Sequence, residues 1–299
     1  MLAAFTWAEF FQQITSGLAA GAIYASLALA LVLIYRATDV VNFAQGEMAT
    51  FTTYIAWTLM DHGLSYWPAF LLTLLIAFSG GVAIERIVIR PVEHRADIAI
   101  VIVTIGLLIG INGLTGWIWG AEVKAFDSPF PNGTIDVGGV TISDQDIGTF
   151  CVCLGTVVVL WLFFRFTTLG LAMRASAVNP GASRLLGVRV GWMLALGWGL
   201  AAVLGAVAGM MAAPTAFLDP NMMLVILIYA FAAAVLGGID NPVGAVVGGL
   251  TLGVLVNLLG RYWDFVGEEL RLPTALAILL IVLVIRPQGL FGHVVVRRV

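Results

Sequence analysis

Apolar and polar positions along the chain fall in long blocks rather than short alternations. Apolar runs near 10–34, 42–60, 67–89, 98–119, 148–166, 191–215, 222–236, 244–260 and 272–286 are separated by stretches rich in Pro, Gly and charge. Segments of roughly 17–25 residues, rising about 1.5 Å per residue, cross a hydrocarbon layer of about 30 Å. Runs this continuous predict helices, because the strands of a membrane barrel alternate polar and apolar positions. The pattern therefore predicts an all-α, polytopic transmembrane helical bundle of about 8–10 spanning helices, with nine as the direct reading, in one domain covering residues 1–299.

Two breaks interrupt the blocks in a particular way. The run 222–236 is short and ends in "GGIDNPVGAVVGG", and an earlier break, "RATDVVNFAQGE", also sets an Asp beside an Asn near glycine: Asp39 with Asn42, and Asp240 with Asn241. Interrupted helices commonly line substrate paths in transporters, and corresponding breaks in two halves suggest an internal repeat. In the first break Asn42 and Gln45 are three apart and share a helix face, whereas Glu47 points about 140° from Asn42 at 100° per residue. One reading makes Asn42 a helix cap, with Gln45 and Glu47 completing the helix start. The other places Asn42, Gln45, Glu47, Asp240 and Asn241 along a translocation path or gate, because a membrane carboxylate usually faces a wet cavity or a partner. Contact with another subunit is a third reading for the first cluster, and a plain turn is a second reading for Asp240-Asn241-Pro242.

Composition sharpens the membrane assignment. A mean hydropathy of +1.04, with only 10% of residues charged, lies far outside the range of soluble domains. Basic residues crowd three places: Arg86, Arg90 and Arg95; Arg165, Arg174, Arg184 and Arg189; and Arg286, Arg297 and Arg298. These are predicted to be cytoplasmic by the positive-inside rule, which puts the N-terminus outside and the C-terminus inside. The loop at about 120–147 carries Lys124 among Glu122, Asp127, Asp136, Asp144 and Asp146 and is predicted to be extracytoplasmic, as is 261–271 with Asp264, Glu268 and Glu269. No basic residue precedes Arg36, so the first apolar segment is expected to remain in the mature protein. Small residues three and four apart, as in "GWGLAAVLGAVAGMMAA", predict closely packed helices. Cys151 and Cys153 are two apart on a helix, point to different faces, and are expected to be packing residues.

Several chemistries are missing. Lys124 is the only lysine and lies outside any GxxxxGK[ST] phosphate loop. His62, His94 and His293 stand singly, with no HExxH pair and no GxSxG elbow, which argues against an intramembrane enzyme. The cytoplasmic loop at about 167–190 is more informative. Asn179 suits an N-cap, Pro180 the first helical position and Gly187 the C-terminal closure of a helix of about two turns. Ala182, Leu185 and Leu186 share one face, fit either for a groove in another protein or for the lipid surface, with Arg184 and Arg189 as anchors.

"NFAQGEMATFTTYIAW", "ERIVIRPVEHR", "RASAVNPGASRLLGV", "AAAVLGGIDNPVGAVVGGLTLG" and "IRPQGLFG" occur in that order over nearly the whole chain. Together they resemble the LivH-type permeases of bacterial branched-chain amino acid ABC importers. The resemblance implies an inner-membrane channel-forming subunit that works with a second, similar or identical permease, two cytoplasmic ATPases and an extracytoplasmic solute-binding protein. It also implies that Asn179, Pro180, Ala182, Leu185, Leu186 and Gly187 form a coupling helix docked on an ATPase, and that ATP and Mg bind the partner ATPases, with no cofactor in this chain and no nucleic-acid partner. Gln45 stands where such permeases often carry His, which keeps hydrogen bonding and removes a titratable group. The expected function is to form half of a translocation pathway for branched-chain amino acids or a related small polar metabolite. Alternatives are the same class of importer for urea, amides or aromatic acids, and a stand-alone secondary transporter or channel.

Overall fold

The computed structural model describes residues 6–292 apart from 94, 96, 132, 264, 265 and 268, so His94, Asp264, Glu268, His293, Arg297 and Arg298 lie outside the described residues. Its helices are α1 Trp7–Thr38, α2 Gln45–Asp61, α3 Tyr66–Ile84, α4 Asp97–Trp119, α5 Asp144–Phe166, α6 Thr168–Val178, α7 Pro180–Leu185, α8 Val190–Ala216, α9 Met222–Gly237, α10 Pro242–Tyr262 and α11 Arg271–Ile285. A π-helical turn, Glu85–Ile89, extends α3. Each predicted apolar run falls on one of α1–α5 or α8–α11. Six of these helices are long and apolar enough to cross a membrane, and α9 and α11 are shorter apolar helices. The shorter, more polar α2 is buried within the protein along most of its length, so its threonines meet helix backbone rather than lipid: Thr50, Thr52, Thr53 and Thr58 each donate to a carbonyl three or four residues back.

Burial separates an inner from an outer set. The apolar stretches of α1 and α8 are each 78% buried, whereas those of α3, α4 and α5 are 28%, 17% and 22% buried. The inner helices meet backbone to backbone. On α1, Gly17 and Gly21 face Gly249 and Gly253 of α10; a Cβ added at Gly253 would lie 2.4 Å from Gly17 O and from Gly21 Cα. Four-residue spacing of glycine on both helices allows that approach. On the other side, α8 presents Gly199 to Phe78 and Val82 of α3, and Gly209 to Ala49 and Thr53 of α2.

The segment between α4 and α5 departs from the purely helical expectation. Residues 134–137 and 140–143 form an antiparallel hairpin, β1 and β2, closed by Gly138 and Gly139 at φ 64° and 85°. Positive φ at both central residues is what a tight two-residue hairpin turn requires, and a Gly-Gly pair meets it without strain. Asp136 Oδ1 also accepts from Gly139 N at 2.9 Å. The hairpin runs directly into α5, which begins at Asp144 rather than at 148, because Ser143 caps it by accepting from Gln145 N.

The glycine contacts predict a sharp contrast between positions. Gly253→Ala is expected to cost about 1–3 kcal/mol, the usual penalty for overpacking, because its new methyl meets backbone that cannot rotate away. Gly110→Ala and Gly155→Ala, with nothing within 4 Å, are expected to leave stability unchanged or slightly raised. Melting midpoints of the purified variants in one detergent check the contrast.

Candidate functional site

The chain between α1 and α2 is non-helical yet enclosed. Asp39 turns it with a left-handed φ of 56°, and Val40, Asn42 and Ala44 are buried. Exposed peptide groups in such a place cost several kcal/mol each unless they are satisfied. Asn42 supplies that satisfaction: its Oδ1 accepts from Ala44 N at 3.1 Å, and its Nδ2 donates to Gln45 Oε1 at 3.1 Å. Asn42 is therefore not the N-cap. The helix starts three residues later, with Ala44 as its cap and no side-chain cap bond, because the Asn42 carbonyl oxygen is spent on turning the chain toward the helix.

Gln45 anchors this start to the centre of the bundle. It is fully buried, and its Nε2 donates to Ala201 O at 2.8 Å. Ala201 lies about 16 Å along α8 from Val190, at 1.5 Å per residue, so α2 begins near the middle of that long helix.

A second interrupted helix begins at the same level. Gly46 packs on the first turns of α9, where an added Cβ would lie 3.2 Å from Leu227 and 3.4 Å from Met223 O. The N-terminal ends of α2 and α9 thus face each other across the linker 217–221, and each carries the partial positive charge of a helix start. Glu47 sits in the first turn of α2 at 3% exposure, and Asp219 stands two residues before the cap of α9. Both carboxylates complement the helix starts.

Asn112 of α4 joins the parts. Its Nδ2 lies 3.2 Å from Glu47 Oε2, 3.1 Å from Pro220 O and 3.0 Å from Asn221 Oδ1, so two hydrogens serve three acceptors. This residue was not among the sequence candidates. Its signal was a single amide inside "GLLIGINGLTG", a polar side chain where a spanning helix has little use for one.

Asp240 and Asn241 are not part of this junction. They lie at the far end of α9, about 22 Å away along its axis at 1.5 Å per residue. Asn241 caps α10 by accepting from Val243 N and Gly244 N, and its Nδ2 donates to Phe291 O at 2.9 Å. Leu290 N and Phe291 N in turn donate to Leu236 O and Gly237 O, closing the segment after α11 over the break.

The candidates in the loop at about 167–190 do form a short helix. Asn179 Oδ1 accepts from Ala182 N at 2.9 Å, and Pro180 takes the first helical position. At the other end Gly187, at φ 81°, donates to Arg184 O while Val188 donates to Ser183 O, the paired bonds of a Schellman closure. Leu185 and Leu186 are 90% and 84% exposed, more than any other large apolar side chains described in this loop. Immediately beyond, two arginines from the π turn grip the first turn of α8. The Arg86 guanidinium lies 3.6 Å from the centre of the Trp192 ring, and that of Arg90 covers Gly191. Glu85, fully buried, faces them at 3.7 and 3.9 Å.

Residues 13–285 match the family described as the branched-chain amino acid transport system / permease component. The chain belongs to this family. It is 31% identical to the high-affinity branched-chain amino acid transport system permease protein BraD of Pseudomonas aeruginosa, over 97% of this chain and 98% of that one. It is 30% identical to the corresponding LivH protein of Escherichia coli, with the same coverage. A probable LivH of Methanocaldococcus jannaschii is 28% identical over 79% of this chain and 76% of that one. Among solved structures, PsaBC from Streptococcus pneumoniae in complex with Fab matches with a TM-score of 0.51 at 15% identity, covering 95% of this chain and 97% of that one. That likeness concerns the fold. Family and helices together make this a multi-pass membrane protein of the permease class.

The junction makes a testable pair. Glu47→Gln keeps an oxygen that can accept from Asn112 and is expected to change stability by about 1 kcal/mol at most, whereas Asn112→Leu strands a buried carboxylate and is expected to cost about 2–3 kcal/mol. Unfolding midpoints of the two variants, compared in the same detergent, test the difference.

Proposed function

We propose that the chain is the permease subunit of an ATP-binding cassette importer and forms half of the translocation pathway for branched-chain amino acids. The substrate follows from the relatives, whose names assign them to high-affinity branched-chain amino acid transport at about 30% identity over 97% of this chain. The observation that carries the mechanical reading is α7, a helix closed at both ends that holds Leu185 and Leu186 almost fully exposed beside a basic loop. Two neighbouring exposed leucines on a capped helix fit a groove in a partner protein.

In this reading the partners are a second permease, two cytoplasmic ATPases that bind ATP and Mg, and an extracytoplasmic solute-binding protein. The chain is not itself an enzyme and holds no cofactor. The basic loops at 85–95 and 165–189 face the cytoplasm, the N-terminus lies outside and the C-terminus inside. Closure of the ATPases on ATP pushes α7. The grip of Arg86 and Arg90 on the first turn of α8 passes that motion to α3 and α8 together, and the pathway alternates between its two openings. Asn42, Gln45 and Glu47 act as the hinge around which the interrupted helices α2 and α9 shift against α4, with Asn112 as the link that gives way. Asp240 and Asn241 hold the inner end of α9 as that shift occurs.

Gentle purification of the tagged chain from its own host tests the assignment. ATPase subunits are expected to accompany the native chain and to fall at least tenfold in the Leu185→Asp, Leu186→Asp double variant, with leucine uptake lost in parallel. A chain that purifies alone and moves solute after reconstitution would overturn the reading.

A further inference from the structure

Beside α7 the structure holds a crevice of about 900 Å³, near the upper end of small-molecule sites. Its inner wall is apolar, with Leu33 of α1, Val157 and Trp161 of α5, Leu194 of α8 and Val246 of α10. Four arginines line it as well: Arg36 at the end of α1, Arg165 at the end of α5, Arg174 of α6 and Arg184 of α7. All four are exposed, none forms an ion pair among the described residues, and Glu93 is the one carboxylate in the lining.

Two further observations point to a ligand. Ser176 lines the crevice at 7% exposure, and its buried Oγ has no hydrogen-bond partner. A buried hydroxyl left unpaired is uncommon and destabilising. The crevice is also open sideways between α5 and α10, where Val158, Trp161 and Val243 are 46%, 50% and 61% exposed. Apolar residues at a lateral opening, with cations at the helix ends, match an amphiphile lying along the membrane.

We propose that this crevice is a binding site for an anionic phospholipid, with its phosphate held by Arg165, Arg174 and Ser176 and one acyl chain laid between α5 and α10 against Trp161. The proposal rests on the cytoplasmic placement of these helix ends given above. Basic pockets between spanning helices at the inner membrane surface are suited to anionic headgroups, each basic residue near the surface contributing about 1 kcal/mol. A segment of another protein fits less well, since it would have to bring both an apolar stripe at membrane depth and enough carboxylates for four arginines. A lipid so placed would touch α6 and α7 from behind and steady the coupling helix against α8.

The test uses the full chain, with whatever subunits co-purify, in phosphatidylcholine vesicles carrying a small fraction of phosphatidylglycerol brominated on its acyl chains. The readout is the quenching of Trp161, taken as the difference between native protein and Trp161→Phe. Quenching is expected to be at least fivefold stronger than with the same fraction of brominated phosphatidylcholine, the enrichment that a single basic residue contributing about 1 kcal/mol would already give. The Arg165→Gln, Arg174→Gln double variant is expected to fall to the phosphatidylcholine level, and the matching Lys pair to retain most of the selectivity, which separates lost charge from lost fold. Equal quenching by the two lipids overturns the proposal, as does selectivity that survives the Gln pair. Relief by millimolar inorganic phosphate alone would make this a free-phosphate site and overturn the lipid assignment. Absence of Trp161 quenching in a preparation with a bound subunit would give the crevice to that subunit. The lipid comparison is read from this chain's own Trp161 whether or not ATPases are bound, so the lipid site and the importer assignment fail separately.

Discussion

Peptide groups at membrane depth have no water to turn to, and the arrangement of this protein follows from that constraint. Two helices start inside the bundle, α2 and α9, and both starts leave N–H groups that must find acceptors within the chain. Asn42 and Asp219 accept backbone N–H groups just ahead of the two starts, while Gln45 and Asn112 donate to the Ala201 and Pro220 carbonyls, which is why a polar cluster sits in so apolar a sequence. The polarity of the junction is thus first a condition of having interrupted helices at all. The hinge role proposed for it would come afterwards, because side-chain bonds to α4 can exchange more readily than an unbroken helical ladder.

Interrupted helices also need rigid neighbours. Glycine supplies them by letting α1 and α10 approach until backbone meets backbone, and by bringing α8 close onto α2 and α3. At Gly205 the same economy of size gives the Gln45 side chain room to reach Ala201 O, since an added Cβ there would lie 2.8 Å from Gln45 Nε2. Small residues and the buried amide are one device: the amide ties a helix start to a carbonyl that only a missing side chain leaves open.

Most of the architecture was legible from hydropathy, because nine apolar blocks separated by charge leave little freedom in an all-α reading. The short helix α7 was legible for a different reason. Asn179, Pro180 and Gly187 each have a specific backbone task, and those tasks are local, so sequence spacing suffices to place them. The cap reading of Asn42 falls two residues before the observed cap, Ala44, since an Asx-type turn and an N-cap use the same oxygen and differ only in how far the helix start lies beyond it. The pairing of breaks was less visible. Similar Asp-Asn pairs drew attention to residues 240–241, whereas the linker 217–221, with Asp219, Pro220 and Asn221, is the one that meets α2. Nothing local encodes that encounter; it depends on how α4, α8 and α9 pack. The Gly138-Gly139 hairpin was overlooked because loop composition alone drew attention to its charges rather than to its turn.

The glycine seam between α1 and α10 has a mechanical consequence. Where side chains interdigitate, two helices can slip by changing rotamers; where backbones touch, there is no such layer to rearrange. Helices α1 and α10 therefore behave as a single stator. If the chain rocks as proposed above, α3 and α8 move against this pair, and the amplitude of that swing is set by how far their ends lie from the seam.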